Sequence, residues 1–128
     1  MSTFLLLAIL SAPQAALPLP SSEPAFIERE LRGVIREHAY LQEGTVQTDT
    51  ALVLFAPIEL PAVGGEAPLA NVVVVQLAAW SDRAQHAFAA AGDQPVVVRC
   101  HLSVSTFWGY RHASCSPVWI RPVGGSTY

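Results

Sequence analysis

Apolar residues fall in short runs broken by Gly and Pro, and the spacing inside each run sets the element to expect. Two patterns compete between Ala25 and Gln42. Phe26, Ile27, Leu31, Val34, Ile35 and His38 suit one face of a helix. Leu31, Gly33, Ile35, Ala39 and Leu41 alternate with Arg32, Val34, Arg36, His38 and Tyr40, as in a strand. Gly33 weakens a helix interior, whereas in a strand it marks a bend or bulge. The expected element is a short lead-in followed by a long strand kinked at Gly33. Glu43-Gly44-Thr45 signals a turn. Thr50–Ala56 (TALVLFA) reads as a strand stopped by Pro57, and Pro61–Pro68 as a loop. Asn71–Trp80 carries a run of valines that suits a central strand, buried on both faces or forming a barrel wall.

A helix follows. Ser81 or Asp82 can cap it, and Gln85 stands at capping-box spacing from Asp82. Ala84, Ala87, Phe88 and Ala91 form its apolar stripe, Gly92 supplies the stop, and Pro95 prevents continuation. Val96–Ser105 is a strand, Phe107–Tyr110 a turn, and Ala113–Val123 the last strand. Strand, strand, strand, helix, strand, strand is the order of an OB-fold, a five-stranded, partly open barrel. The expected class is therefore mainly β with one helix (β-β-β-α-β-β), with an α+β sandwich as the alternative. The folded domain would span 28–123, after a proline-rich leader over 17–27 and before a polar tail over 124–128.

The run Phe4–Leu10 (FLLLAIL) is too short for a membrane-spanning helix, which needs about 20 apolar residues. It suits the core of a secretory signal peptide over residues 1–16, cleaved after Ala15 or Ala16. No Lys or Arg precedes it, and Ala12, Ala15 and Ala16 make no clean Ala-x-Ala site, so a buried N-terminal helix or strand is the alternative. Export would place the mature protein in the periplasm or outside the cell, with no stable membrane insertion after cleavage. The absence of a cysteine near the cleavage site argues against a lipid anchor.

Composition narrows the function classes. At 128 residues the chain is expected to form one domain. Charged residues make up 13%, about half the roughly 25% of an average domain. Residues 1–16 carry no charge, yet the remainder is still lightly charged, so the apolar excess belongs to the strands and the helix. The 52% hydrophobic content excludes a disordered chain. A net charge of −3 with no lysine argues against nucleic acid as a partner.

The stretches ELRGVIR (Glu30–Arg36), LVLFAPIEL (Leu52–Leu60), NVVVVQL (Asn71–Leu77) and VVVRCHL (Val96–Leu102), followed by SPVWI (Ser116–Ile120), carry a resemblance through their order and spacing. In these the chain resembles an uncharacterised family of exported bacterial proteins, a domain of unknown function, over most of residues 28–123. That family has a Thr-Gly-His-His-His-Thr-Pro-Val-like run at its last strand. Here Ser116-Pro117-Val118 fits its end, but Ala113-Ser114-Cys115 replace the histidines and only His112 remains nearby. The resemblance implies an exported OB-like domain and no established activity.

A hairpin turning between Phe107 and Trp108 would set Cys100 directly opposite Cys115, close enough for a cross-strand disulfide. Closing a loop of about 15 residues stabilises by about 3 kcal/mol in the chain-entropy model. Two buried free thiols are the alternative. In the same register His112 opposes Ser103 and lies diagonal to His101, on the face away from the cysteines. That separation excludes a joint Cys/His zinc set. A metal between the histidines would need a further ligand such as His38 or Glu37, so no metal site and no cofactor is expected.

There is no Gly-x-Ser-x-Gly elbow, and without lysine no phosphate-binding P-loop. The mixed charges from Glu28 to Glu37 read as a solvated surface. Phe107, Trp108 and Tyr110, beside Arg111 and His112, resemble a recognition loop. The alternative is that they fold back and plug the barrel end. Trp80 and Trp119 read as core or barrel-wall residues.

The reading is an exported, non-catalytic binding module for a protein or glycan of the cell envelope. An inhibitor or immunity protein is its sharper form. A histidine-dependent metal protein or hydrolase, and a purely structural envelope domain, are the alternatives. The cysteine pairing predicts that mass spectrometry of the secreted protein shows a mass two hydrogens below that of the dithiol; the full dithiol mass would refute it.

Overall fold

A computed structural model describes residues 23–78 and 81–124. The expected signal peptide, the leader up to residue 22, Trp80 and the tail after Gly124 lie outside the described residues. The elements are β1 (Ile27–Gln42), β2 (Thr45–Leu60), β3 (Leu69–Leu77), α1 (Asp82–Ala91), β4 (Val96–Ser105) and β5 (His112–Pro122). Their order follows the sequence reading. The strands close into one five-stranded sheet in the order β1-β2-β3-β5-β4. Only β3 and β5 run parallel; every other pairing is antiparallel. The described strands form one closed sheet and not the two facing sheets of the sandwich alternative.

Alternation sends Leu31 and Ile35, Leu52 and Leu54, Val75 and Leu77, Val98 and Leu102 into a single interior cluster. Helix α1 adds Phe88 and Ala91 to it. Ser81 caps α1, accepting from the Ala84 amide at 3.2 Å, and Gly92 ends it at φ 56°. Among the described residues no helix is long and apolar enough to cross a membrane.

The helix pattern over Ala25–Gln42 loses to the strand because β1 serves two partners. Ile27–Gly33 pair with β4, and Gly33–Gln42 pair with β2. Gly33 belongs to both ladders. A Cβ built there would lie 2.1 Å from the Val53 carbonyl oxygen. The glycine is required by this close approach of two backbones. At the head of β1, Pro24 O accepts from the Gly64 amide at 2.8 Å and the Glu23 carboxylate accepts from the Gly65 amide. The described end of the leader is therefore docked on the β2–β3 loop.

Three expectations need correction. First, β2 does not stop at Pro57 but runs on to Leu60. Its register with β3 shifts between Val53 and Ile58, so Pro57, which lacks an N–H, sits where the ladder is already irregular. Asn71, at φ 54°, lies at the next shift, between the Ile58–Val72 and Leu60–Leu69 pairs, and its amide donates to Glu59 Oε2 at 3.0 Å.

Second, of the two arrangements expected for β3 the barrel wall is the one found, and the strand is buried on both faces only at its C-terminal end. β5 begins pairing with it at Val75, so Gln76 and Leu77 are covered while Val73 stays exposed.

Third, the β4–β5 hairpin is two residues out of the expected register. Leu102 opposes Cys115, Cys100 opposes Pro117, and His112 opposes Ser105 rather than Ser103. The turn closes later because the Gly109 amide reaches back to Thr106 O at 2.9 Å, with Gly109 at φ 93°. A two-residue slip preserves the face of every side chain. Cys100 and Cys115 thus still meet, now diagonally, with Cα atoms 5.1 Å apart, and they form the disulfide. A disulfide is what an oxidising, non-cytoplasmic environment favours.

Substituting Gly33→Ala should destabilise the protein by about 1–3 kcal/mol through backbone overpacking. Urea unfolding checks this, and a midpoint unchanged from wild type would contradict the account of the kink.

Candidate functional site

The segment Thr106–Arg111 between β4 and β5 is a strap fixed at both ends and in the middle. Phe107 N donates to Ser105 Oγ at 3.1 Å and starts the turn that Gly109 completes. Arg111 ties the far end to the β2–β3 loop. Its Nε donates to Glu66 Oε1 at 3.4 Å, and its guanidinium also donates to Ala67 O.

Trp108 holds the middle. It is only 2% exposed, yet it stands apart from the interior cluster. Its indole lies between two imidazoles, His38 from β1 and His112 from β5, with ring centroids 4.0 Å away on each side. Its Nε1–H donates to Asp49 Oδ2 at 2.9 Å. The same oxygen accepts from Gln76 Nε2 at 2.8 Å, and Oδ1 accepts from the Thr50 amide at 2.9 Å. His38 and Asp49 are direct cross-strand partners on the face away from the core residue Leu52. Ala51 and Gln76 pair on that same face and are also buried. The strap therefore covers the outer side of the sheet instead of filling the barrel interior.

His112, 5% exposed, has a defined protonation state. Its Nε2 accepts from the Trp108 amide at 3.3 Å, so it carries no proton. Its Nδ1–H donates to Ala113 O at 3.1 Å. Burial lowers its pKa below the ordinary imidazole value, and His38 adds to the lowering; the Ala113 carbonyl and Asp49 oppose it.

The expected site residues thus divide. Phe107 and Tyr110 are 53% and 52% exposed. Tyr110 is held by a 2.9 Å hydrogen bond between its hydroxyl and His38 Nε2. Phe107 rests against Tyr40, ring centroids 5.6 Å apart. Trp108 and His112 are turned inward and serve as anchors. Leu41 and Val46, paired at the tip of the β1–β2 hairpin, are each 66% exposed and extend the apolar edge. Gly109 faces Leu41, since a Cβ on it would lie 3.8 Å from the Leu41 carbonyl oxygen.

The histidines do not converge on a metal. His101 donates to Glu28 at 3.1 Å and stacks on Phe26 at 4.2 Å, away from the strap. The indole separates His38 from His112, and both nitrogens of His112 are engaged. Among the described residues no group of three His, Cys, Asp or Glu side chains could hold a metal ion. The charges of the first strand are partly spent in cross-strand pairs. Arg99 bridges Glu28 at 2.7 Å and Glu30 at 3.4 Å, and the bond from Arg99 lowers the Glu28 pKa. Trp119 is half-buried on the barrel wall, with the Arg121 guanidinium 3.7 Å above its ring.

Sequence reasoning missed Asp49, Gln76 and Tyr40. A signal existed for Asp49: an acid within a Thr- and Val-rich run is unfavourable in a strand unless it has a partner. Comparison with family models, with curated proteins and with solved structures finds no match for this chain.

Replacing Asp49→Ala leaves three donors, Trp108 Nε1–H, Gln76 Nε2–H and the Thr50 amide, without their acceptor. The expected loss is about 2–3 kcal/mol in chemical denaturation; unchanged stability would contradict the anchoring role.

Proposed function

We propose that the protein is a non-catalytic binding module with an OB-fold, exported to the periplasm or beyond, where it recognises a protein or glycan of the cell envelope. The observation that carries this reading is the pairing of two exposed aromatics with a buried anchor. Phe107 and Tyr110 project from a strap whose central Trp108 is almost fully enclosed. A recognition loop held this way loses little conformational entropy when it binds. Aromatic side chains supply large contact area at low rotamer cost.

The position agrees with the reading. OB-folds recognise ligands with the loops between strands 1 and 2 and between strands 4 and 5, flanking the face of strands 2 and 3. Here the β1–β2 tip carries exposed Leu41 and Val46, and the β4–β5 strap carries Phe107 and Tyr110. The two are joined through Tyr40. The disulfide supports an oxidising location, and the apolar run Phe4–Leu10 is read as its export signal. Inhibition of, or immunity to, an envelope-directed enzyme is the sharper form of the proposal. No observation favours the histidine-dependent metal protein or hydrolase.

The test uses the double variant Phe107→Ser/Tyr110→Ser, which changes exposed residues only. Immobilised wild-type protein should retain a specific partner from periplasmic extract, or bind isolated cell-wall glycan, and the folded double variant should lose at least ~90% of that binding, the effect of removing about 1.4 kcal/mol or more. Equal retention by both proteins, or by neither, would overturn the proposal.

A further inference from the structure

We propose that the strap is a proton-operated latch, closed while His112 is neutral and released when His112 takes up a second proton. The geometry requires one tautomer of His112. Nδ1–H is committed to the Ala113 carbonyl, and Nε2 must present a lone pair to the Trp108 amide. A proton added at Nε2 would point a donor at a donor. The imidazolium cannot keep that bond. The Trp108 amide, also enclosed, would lose its partner at the same moment.

The groups facing His112 come from every neighbouring element. β1 contributes His38, across the indole; β2 contributes Asp49; the strap contributes Tyr110 and Arg111; β4 contributes Ser105 directly opposite. Asp49 is the one group that attracts an imidazolium, and its oxygens are already taken by Trp108, Gln76 and Thr50. His38 is the natural contrast. Its Nε2 meets a hydroxyl, which accepts as readily as it donates, so protonation there leaves its bond to Tyr110 intact.

The folded pKa of His112 lies below its unfolded value, because burial disfavours the charged form. The latch is therefore fully closed above the ordinary imidazole pKa of about 6.5. Its stability is lost as pH falls from there through the lower folded value.

The consequence concerns presentation. A released strap would uncover Trp108 and the outer face around Ala51 and Gln76, and would free Phe107 and Tyr110 from their fixed positions. The device operates whether or not the aromatic edge binds a partner.

Solvent exchange of the Trp108 indole N–H, followed by NMR on the intact protein, tests the proposal directly. The signal is assigned by its absence in Trp108→Phe. Its protection relative to intrinsic exchange should fall at least ~10-fold between about pH 7.5 and about pH 5, while the amides of Leu52 and Val98 keep theirs. The His112→Gln variant should lose that pH dependence. Undiminished protection of the indole at the lower pH would overturn the proposal. So would loss of the Leu52 and Val98 amides in step with it, which is global unfolding, or a pH response that persists in His112→Gln. Should the variant fail to fold, the wild-type carbon-bound ring proton of His112 replaces it. Its titration midpoint must coincide with the loss of indole protection, and a mismatch refutes the latch.

Discussion

A buried indole has two requirements: its ring must be covered and its N–H must find an acceptor. For Trp108, no single element meets both. His38 on β1 and His112 on β5 cover the ring, and Asp49 on β2 accepts from the nitrogen. Asp49 is in turn held by Gln76 on β3. Four strands, consecutive neighbours in the order β1-β2-β3-β5, thus converge on one side chain. The strap takes its shape from this contact. With Trp108 turned inward, its neighbours Phe107 and Tyr110 are turned outward, and an exposed aromatic edge is the direct result.

The interior supports this arrangement from below. The disulfide joins Cys100 to Cys115 in the core, so the two strands carrying the strap cannot separate at that level. Gly33 lets β1 pass from β4 to β2 without a break, and this bend allows His38 to lie across from Asp49. The binding proposal therefore rests on features remote from the exposed rings. His38 and His112, two of the histidines that invite a metal or catalytic reading, are flat, polar covers for the Trp108 ring.

Much of this was legible in the chain. Capping residues and an alanine stripe located α1 to within a residue, and alternation with a misplaced glycine identified β1. The cysteine pairing survived an error in register because a two-residue slip leaves both sulfurs on one face. The slip itself was not legible, since it depends on where Gly109 closes the turn. β2 was read too short because Pro57 looks like a terminus until the bulged ladder around it is known. The aromatic loop was found by composition. Its division into one anchor and two exposed rings was not, because Asp49 lies far from Trp108 in sequence and nothing local links them.

The strap is an ordered part of the fold, pinned by Trp108, and not a free loop. Amide hydrogen exchange over Thr106–His112 near neutral pH measures this most directly. The Trp108 and Gly109 amides, bonded to His112 Nε2 and Thr106 O, should exchange slowly, on the scale of the β4 and β5 amides. Exchange at the rate of an unstructured peptide would contradict the account.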